Sequence, residues 1–141
     1  MPLAFKTRLL LLSVMAAAYW ALIFTLTHVP LSFPGPVGSL DKLQHGSAFF
    51  GLAVLLCSAY GAWRPHDTLG YIWVFIAIAA YGAIDEITQG FVPYRYPDFF
   101  DWLADVGGAA VGVGLMFLVA AFWPARAAAA AAVASADVKT R

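Results

Sequence analysis

The sequence predicts an all-α, polytopic membrane protein: four transmembrane helices in an antiparallel bundle with both termini cytoplasmic. Three observations carry that expectation. Apolar residues fill 62% of the 141 positions and charged residues 11%, which leaves more apolar surface than a water-soluble chain of this length can bury. Four apolar stretches, separated by breaks rich in proline, glycine or charge, are each long enough to cross a hydrocarbon layer. The basic residues fall unevenly on the two sides that such a weave creates.

Leu9 to Thr27 forms the first span, roughly 28 Å at the usual helical rise. Lys6, Arg8 and the run Ala16, Ala17, Ala18 resemble a signal peptide, but the apolar stretch continues through Trp20, Ile23 and Phe24. An uncleaved first helix is therefore expected, ended by His28 and Pro30. Pro34-Gly35-Pro36 is a strong turn signal. The next helix is expected from Asp41, which has the capping-box offset to Gln44.

The second span runs from about His45 to Trp63. Arg64, Pro65, His66 and Asp67 make a short polar turn, which implies an antiparallel neighbour. Thr68 to Gln89 is the third span, with Asp85, Glu86 and Gln89 in its last turn and a half and Gly90 suited to its end. Pro93 and Pro97 then break an aromatic segment expected to lie on the membrane surface. Asp98 opens the fourth helix as a cap with Asp101 in its first turn, and the span continues from Trp102 to about Trp123. The membrane domain is thus 1–123. Residues 124–141 form an alanine-rich cytoplasmic tail, helical or disordered, with no assigned function.

Charge placement sets the orientation. With the N-terminus inside, Lys6, Arg8, Arg64, Arg126, Lys139 and Arg141 are cytoplasmic, and only Lys42 and Arg95 lie outside. The expected location is the bacterial cytoplasmic (inner) membrane, with the lipid bilayer as the first partner. Zero net charge without a basic block excludes a nucleic-acid partner. Cys57 is the sole cysteine, so it can form neither an internal disulfide nor a thiolate metal centre, and it reads as a small buried hydrophobe. No cofactor and no metal are assigned; a homo-oligomer is left open.

Five of the eight acidic residues fall between Tyr81 and Gly108, at the outer ends of the third and fourth spans. Ionisable groups at membrane depth are costly and usually paired or functional. Asp101, Asp105, Gly108 and Gly112 follow i, i+4, i+7, i+11 and form one stripe, whose GxxxG pair should face another helix. Glu86 shares a face with Ala79, Gly82 and Gln89, whereas Asp85 points toward Tyr81 and Ile78, so Glu86 is the expected inward group. Lys42, His45 and Phe49 share a face of the second helix. Asp98 is explained by capping, and Asp101 serves equally well as cap or polar stripe. Glu86, Gln89 and Asp105 are the residues that capping does not explain, and they should face Lys42 and His45 in an outward-facing pocket.

Taken together, Asp41-Lys42-x-x-His45, Tyr81-Gly82-x-x-Asp85-Glu86-x-x-Gln89-x-Phe91-Val92-Pro93-x-Arg95 and Asp101-x-x-Ala104-Asp105-x-x-Gly108 resemble the VanZ-like family of small bacterial membrane proteins, over about residues 30–118. The resemblance implies a four-helix envelope protein, with family members linked to low-level resistance to the glycopeptide teicoplanin. The positions matching the family's polar motif are Lys42, His45, Asp85, Glu86, Gln89, Arg95, Asp101 and Asp105. Two departures stand out: Asn is frequent where this chain has Asp105, and Gly is frequent where it has Tyr94.

Three functions fit this pattern. The first is binding of a lipid-linked or cell-wall headgroup, with Lys42 and Arg95 meeting anionic groups and the carboxylates meeting hydroxyls, amides or amines. The second is a membrane-embedded hydrolase or transferase acting on an envelope lipid or peptide, with Glu86, Asp105 and His45 as catalytic candidates, one carboxylate being a general base or a metal ligand with His45. The absence of HExxH weighs against a metal enzyme. The third is a small proton- or ion-coupled transporter, against which stand the short chain and the lack of an inverted repeat.

Overall fold

The computed structural model describes residues 3–30, 39–65 and 67–139, with the backbone alone at 4, 39 and 123–139. Within these residues the chain forms α1 (Leu3–His28), α2 (Ser39–Trp63), α3 (Gly70–Gln89) and α4 (Phe99–Lys139). Each contains a stretch long and apolar enough to span a membrane: Phe5–His28, Leu40–Trp63, Gly70–Gln89 and Phe99–Phe122. Only 11% to 33% of these stretches is buried inside the protein. Trp20, Leu22, Trp73, Ile87, Leu118 and Phe122 all point outward. In water that surface would drive aggregation; against lipid it is the expected covering.

Several boundaries differ from the sequence expectation for local reasons. α2 starts at Ser39, so Asp41 sits inside the first turn and not before it, where its carboxylate complements the helix N-terminus. α3 starts at Gly70, not Thr68, because Asp67 Oδ1 accepts the Gly70 N–H at 3.1 Å and Thr68 and Leu69 form a turn. Tyr60 donates to the other Asp67 oxygen at 2.6 Å, tying this turn to α2. Gly90 closes α3 with φ −60°, a right-handed conformation that does not use the left-handed freedom of glycine. α4 runs through Pro124 to Lys139, so the described part of the alanine-rich tail is helical. The Pro34-Gly35-Pro36 turn and His66 lie outside the described residues.

Consecutive helices run antiparallel, yet the closest pair is α2 with α4, which are parallel. Paired residues climb together along them: Lys42 with Asp101, His45 with Asp105, Gly46 with Gly108, and Ala53 with Gly112. Around the bundle the order is α1, α2, α4, α3, and α1 makes no contact with α4 among the described residues. The polar turn between α2 and α3 does make them antiparallel, but glycine decides which neighbour packs tightest. A Cβ on Gly108 would collide with the Gly46 backbone, and one on Gly112 would sit 2.8 Å from Phe50 O. Backbones that close give dispersion contacts that compensate for the weak hydrophobic drive within lipid. The GxxxG stripe therefore faces α2, as its spacing predicts.

The apolar core is continuous with this contact through Ala53. Phe49, Leu52, Ala53, Cys57, Tyr71, Ile78, Ala109 and Val113 form one buried cluster, with Ile23 reaching in from α1. Cys57 is fully buried there, in keeping with a small hydrophobe. Phe49 stacks on Tyr81, and Tyr71 meets Phe117 edge to face. These rings hold α3 across the α2–α4 pair.

Candidate functional site

Every residue of the polar motif gathers where α1 and α3 end and α2 and α4 begin. The loop from Gly90 to Asp98 sets the geometry. Arg95 N–H donates to Val92 O at 3.1 Å, closing a turn with Pro93 second and Tyr94 third. Tyr94 has φ 67°. This is the pattern of a type II turn, whose third position requires positive φ and favours glycine. Tyr94 thus holds under strain a conformation that glycine adopts freely. The turn aims Arg95 back at the bundle, while Phe91, Tyr94 and Tyr96 remain exposed as an interfacial aromatic belt would be.

Asp98 caps α4 as expected. Its Oδ1 accepts the Phe100 N–H at 2.8 Å, and its own N–H donates to Glu86 Oε2 at 2.9 Å, fastening the start of α4 to the end of α3. Lys42 Nζ lies 3.1 Å from Asp98 Oδ2 and 2.7 Å from Asp101 Oδ1, with the Phe100 ring 5.8 Å away. The backbone amide and the Lys42 ammonium hold the Asp98 carboxyl below its usual range. Lys42 and Asp98 are both partly exposed and form the rim of the site.

Beneath the rim lies a buried layer. His45 Nδ1 is 3.1 Å from Asp105 Oδ1 and 3.9 Å from Glu86 Oε1. Gln89 Nε2 donates to Glu86 Oε1 at 3.4 Å and to Asp85 Oδ2 at 2.9 Å. Its Oε1 accepts from Arg95 Nη1 at 3.2 Å, so the amide bridges the carboxylates to the guanidinium. Arg95 Nη2 donates to Leu26 O at 3.2 Å. Trp102 Nε1 donates to Ala79 O at 3.0 Å, locking α4 against α3 just below this level.

Two sequence expectations need correction. Glu86 was the expected inward group in preference to Asp85, but both are buried, at 6% and 1% exposure. They face different neighbours: Glu86 looks toward α2 and α4, and Asp85 toward α1. Asp85 Oδ1 accepts from Tyr81 at 2.9 Å and from Thr27 at 3.3 Å, with His28 Nδ1 at 3.8 Å. Second, Lys42 does not face Glu86, Gln89 and Asp105; only His45 does, because the ammonium is taken by Asp98 and Asp101. The buried layer is also bonded within itself except at Asp105 Oδ2. Grooves of about 750 and 500 Å³ lie elsewhere, along apolar flanks lined by residues such as Leu11, Met15 and Ser58, or Leu56, Trp63 and Val74.

Sequence reasoning missed the contribution of α1. His28 Nε2 lies 2.9 Å from Thr88 Oγ1, and Thr27 reaches Asp85, so the first helix is bonded to the third at the level of the motif. The only signal was a pair of polar residues at the end of an apolar span, which reads equally well as a terminus.

Three carboxylates, Asp85, Glu86 and Asp105, are thus buried, and among the described residues no Lys or Arg nitrogen lies within 4.0 Å of any of them. Asp85 is well supplied with donors. Asp105 is not: its Oδ2 is buried without a hydrogen-bond partner. A low-dielectric site cannot hold several uncompensated negative charges, so protons, a cation or a ligand must complete it.

Comparison with known proteins points the same way as the motif strings. No curated protein and no solved structure matches the chain. The VanZ/LLP1 family profile matches residues 2–120. This four-helix, multi-pass membrane chain belongs to the VanZ/LLP1 family.

Proposed function

We propose that this VanZ/LLP1 protein works in the bacterial cytoplasmic membrane, with its polar site on the outer face. There it binds the headgroup of a lipid-linked or cell-wall precursor and thereby alters susceptibility to glycopeptides such as teicoplanin. The observation that carries this reading is the state of Arg95. Its two hydrogen bonds go to neutral acceptors, Gln89 Oε1 and Leu26 O, so no carboxylate neutralises it among the described residues. A guanidinium fixed in place with its charge uncompensated suits a phosphate or carboxylate, which it grips through parallel N–H donors. Lys42 adds a second cation on the rim, tethered by two carboxylates. Carboxylate-rich walls next to these cations favour a ligand that also carries hydroxyls, amides or amines.

The second reading, a membrane-embedded hydrolase or transferase, has support from the proximity of His45, Glu86 and Asp105, whose ligand atoms lie within 4.8 Å of one another. The transporter reading has less, since α2, α3 and α4 are continuous through the site level and supply no interrupted helix pair.

Susceptibility testing separates the headgroup reading from a structural one. Arg95→Ala and Glu86→Gln proteins that accumulate normally in the membrane should lose the teicoplanin phenotype conferred by the parent. Unchanged susceptibility in both variants would contradict the proposal.

A further inference from the structure

Of the three buried aspartates among the described residues, Asp101 is paired with Lys42, and the other two differ in a way that points to a ligand. Asp85 Oδ1 receives Tyr81 and Thr27, and its Oδ2 receives Gln89. Asp105, fully buried on α4, has one neighbour, His45, on Oδ1 and nothing on Oδ2. A buried carboxylate oxygen without a donor is unusual and calls for an explanation. In this case the unpartnered group belongs to a triad of metal-ligand type, His45, Glu86 and Asp105, drawn from α2, α3 and α4.

We propose that His45, Glu86 and Asp105 bind a single divalent cation of zinc or manganese size. Two of the three ligand separations are close to those around one ion, and the third lies within 4.8 Å. With bonds of about 2.1 Å to nitrogen and oxygen, two ligand atoms of a tetrahedral centre lie about 3.4 Å apart. His45 Nδ1 stands 3.1 Å from Asp105 Oδ1 and 3.9 Å from Glu86 Oε1, which brackets that separation. The donor set is one imidazole and two carboxylates, which suits borderline and hard divalent ions. Its charge is balanced by the same ion, so the burial of two acids without a permanent cation ceases to be a cost.

The supporting residues orient the ligands. The Asp98 N–H holds Glu86 Oε2 at 2.9 Å, leaving Oε1 as the oxygen toward His45, and Gln89 Nε2 donates to Oε1 at 3.4 Å. Such outer contacts are a regular feature of metal centres. A second triad, Asp41, His45 and Asp101, shares the imidazole, but Lys42 Nζ sits 2.7 Å from Asp101 Oδ1 and would repel an ion there. The inner triad has no ammonium or guanidinium within 4.0 Å among the described residues. Three protein ligands leave a coordination position for water or an anionic group.

The test is equilibrium dialysis of the purified full-length protein in detergent against Zn²⁺ or Mn²⁺, with Co²⁺ as an absorbing substitute. The expected result is about one equivalent bound, with Co²⁺ giving the visible bands of a four- or five-coordinate centre. Asp105→Asn should abolish binding while keeping the side-chain shape, and Asp101→Asn and His28→Ala should retain it. Should Asp105→Asn fail to fold, His45→Asn carries the same comparison. No ion on the parent protein, binding that survives Asp105→Asn, or loss in Asp101→Asn would each overturn the assignment. The dialysis contains no envelope lipid, so an absent ion leaves the headgroup proposal standing, and failed headgroup binding leaves the ion count standing.

Discussion

The half of the bundle that carries the polar motif, outer in the proposed orientation, and the opposite, inner half are held together by different physics. In the outer half, α2, α3 and α4 meet through Lys42, His45, Glu86, Asp98 and Asp105, and a glycine contact brings α2 and α4 together just below. In the inner half, Cys57, Tyr71, Ile78, Val113 and Phe117 interlock without a charge among them. Lipid is as apolar as that core, so burying the inner residues yields packing contacts but little transfer free energy. The polar half is different, because each of its groups would cost several kcal/mol if turned toward hydrocarbon, on the order of 3 for a charged residue at the bilayer centre. The outer half thus specifies which helix sits beside which. The inner half fills space.

Substitutions should respond accordingly. His45→Ala strips Asp105 of its one neighbour and leaves a buried carboxylate alone, so it should cost about 4 kcal/mol, read as resistance to unfolding in detergent. A loss below about 1 kcal/mol would mean that the outer network does not govern stability. Gly108→Val forces a branched side chain into the Gly46 backbone and should cost about 3 kcal/mol. Gly107 and Gly114 make the contrast, because a Cβ on either meets nothing within 4 Å. Alanine there should be neutral or stabilise the helix by up to about 1 kcal/mol. In the inner half, Ile78→Ala removes packing but little transfer energy, and about 1.5 kcal/mol is expected, below the range usual for a soluble core.

Much of this division can be read from the chain. The spacing of Asp101, Asp105, Gly108 and Gly112 correctly puts carboxylates and close backbone contact on one stripe, since helical periodicity alone determines which residues share a face. Asp98 as a cap and Tyr81 beside Asp85 follow from equally local rules. The partner of each face is not local. Asp85 and Glu86 are adjacent in sequence and point about 100° apart, and which is buried depends on whether α3 has neighbours on both sides. It does: α1 takes Asp85 through Thr27, while α2 and α4 take Glu86. The pairing of Lys42 with Asp98 and Asp101, in preference to the deeper acids, likewise depends on the parallel register of α2 and α4.

The loop that joins the two polar helix ends offers a smaller test. Tyr94 occupies a positive-φ position, so Tyr94→Gly should stabilise the protein by about 1 kcal/mol and leave Arg95 in place. Destabilisation would show that the Tyr94 ring contributes more to the interface than its backbone costs. The smallest effect concerns pH. The Asp98 carboxyl lies below its usual value of 3.8 because the Phe100 amide and Lys42 favour its charged form. Its contribution is therefore complete above that usual value and disappears as pH falls through the depressed one. A shallow acid-side loss of thermal stability, absent in Asp98→Asn, is expected; the same slope in both proteins would assign it to another group.

The proposed headgroup binding at the polar half is the central claim. Mass spectrometry of lipids that co-purify with the parent protein and with folded Glu86→Gln addresses it directly. An anionic lipid-linked envelope precursor should accompany the parent and be lost from Glu86→Gln. Identical lipid profiles for the two proteins would contradict the account.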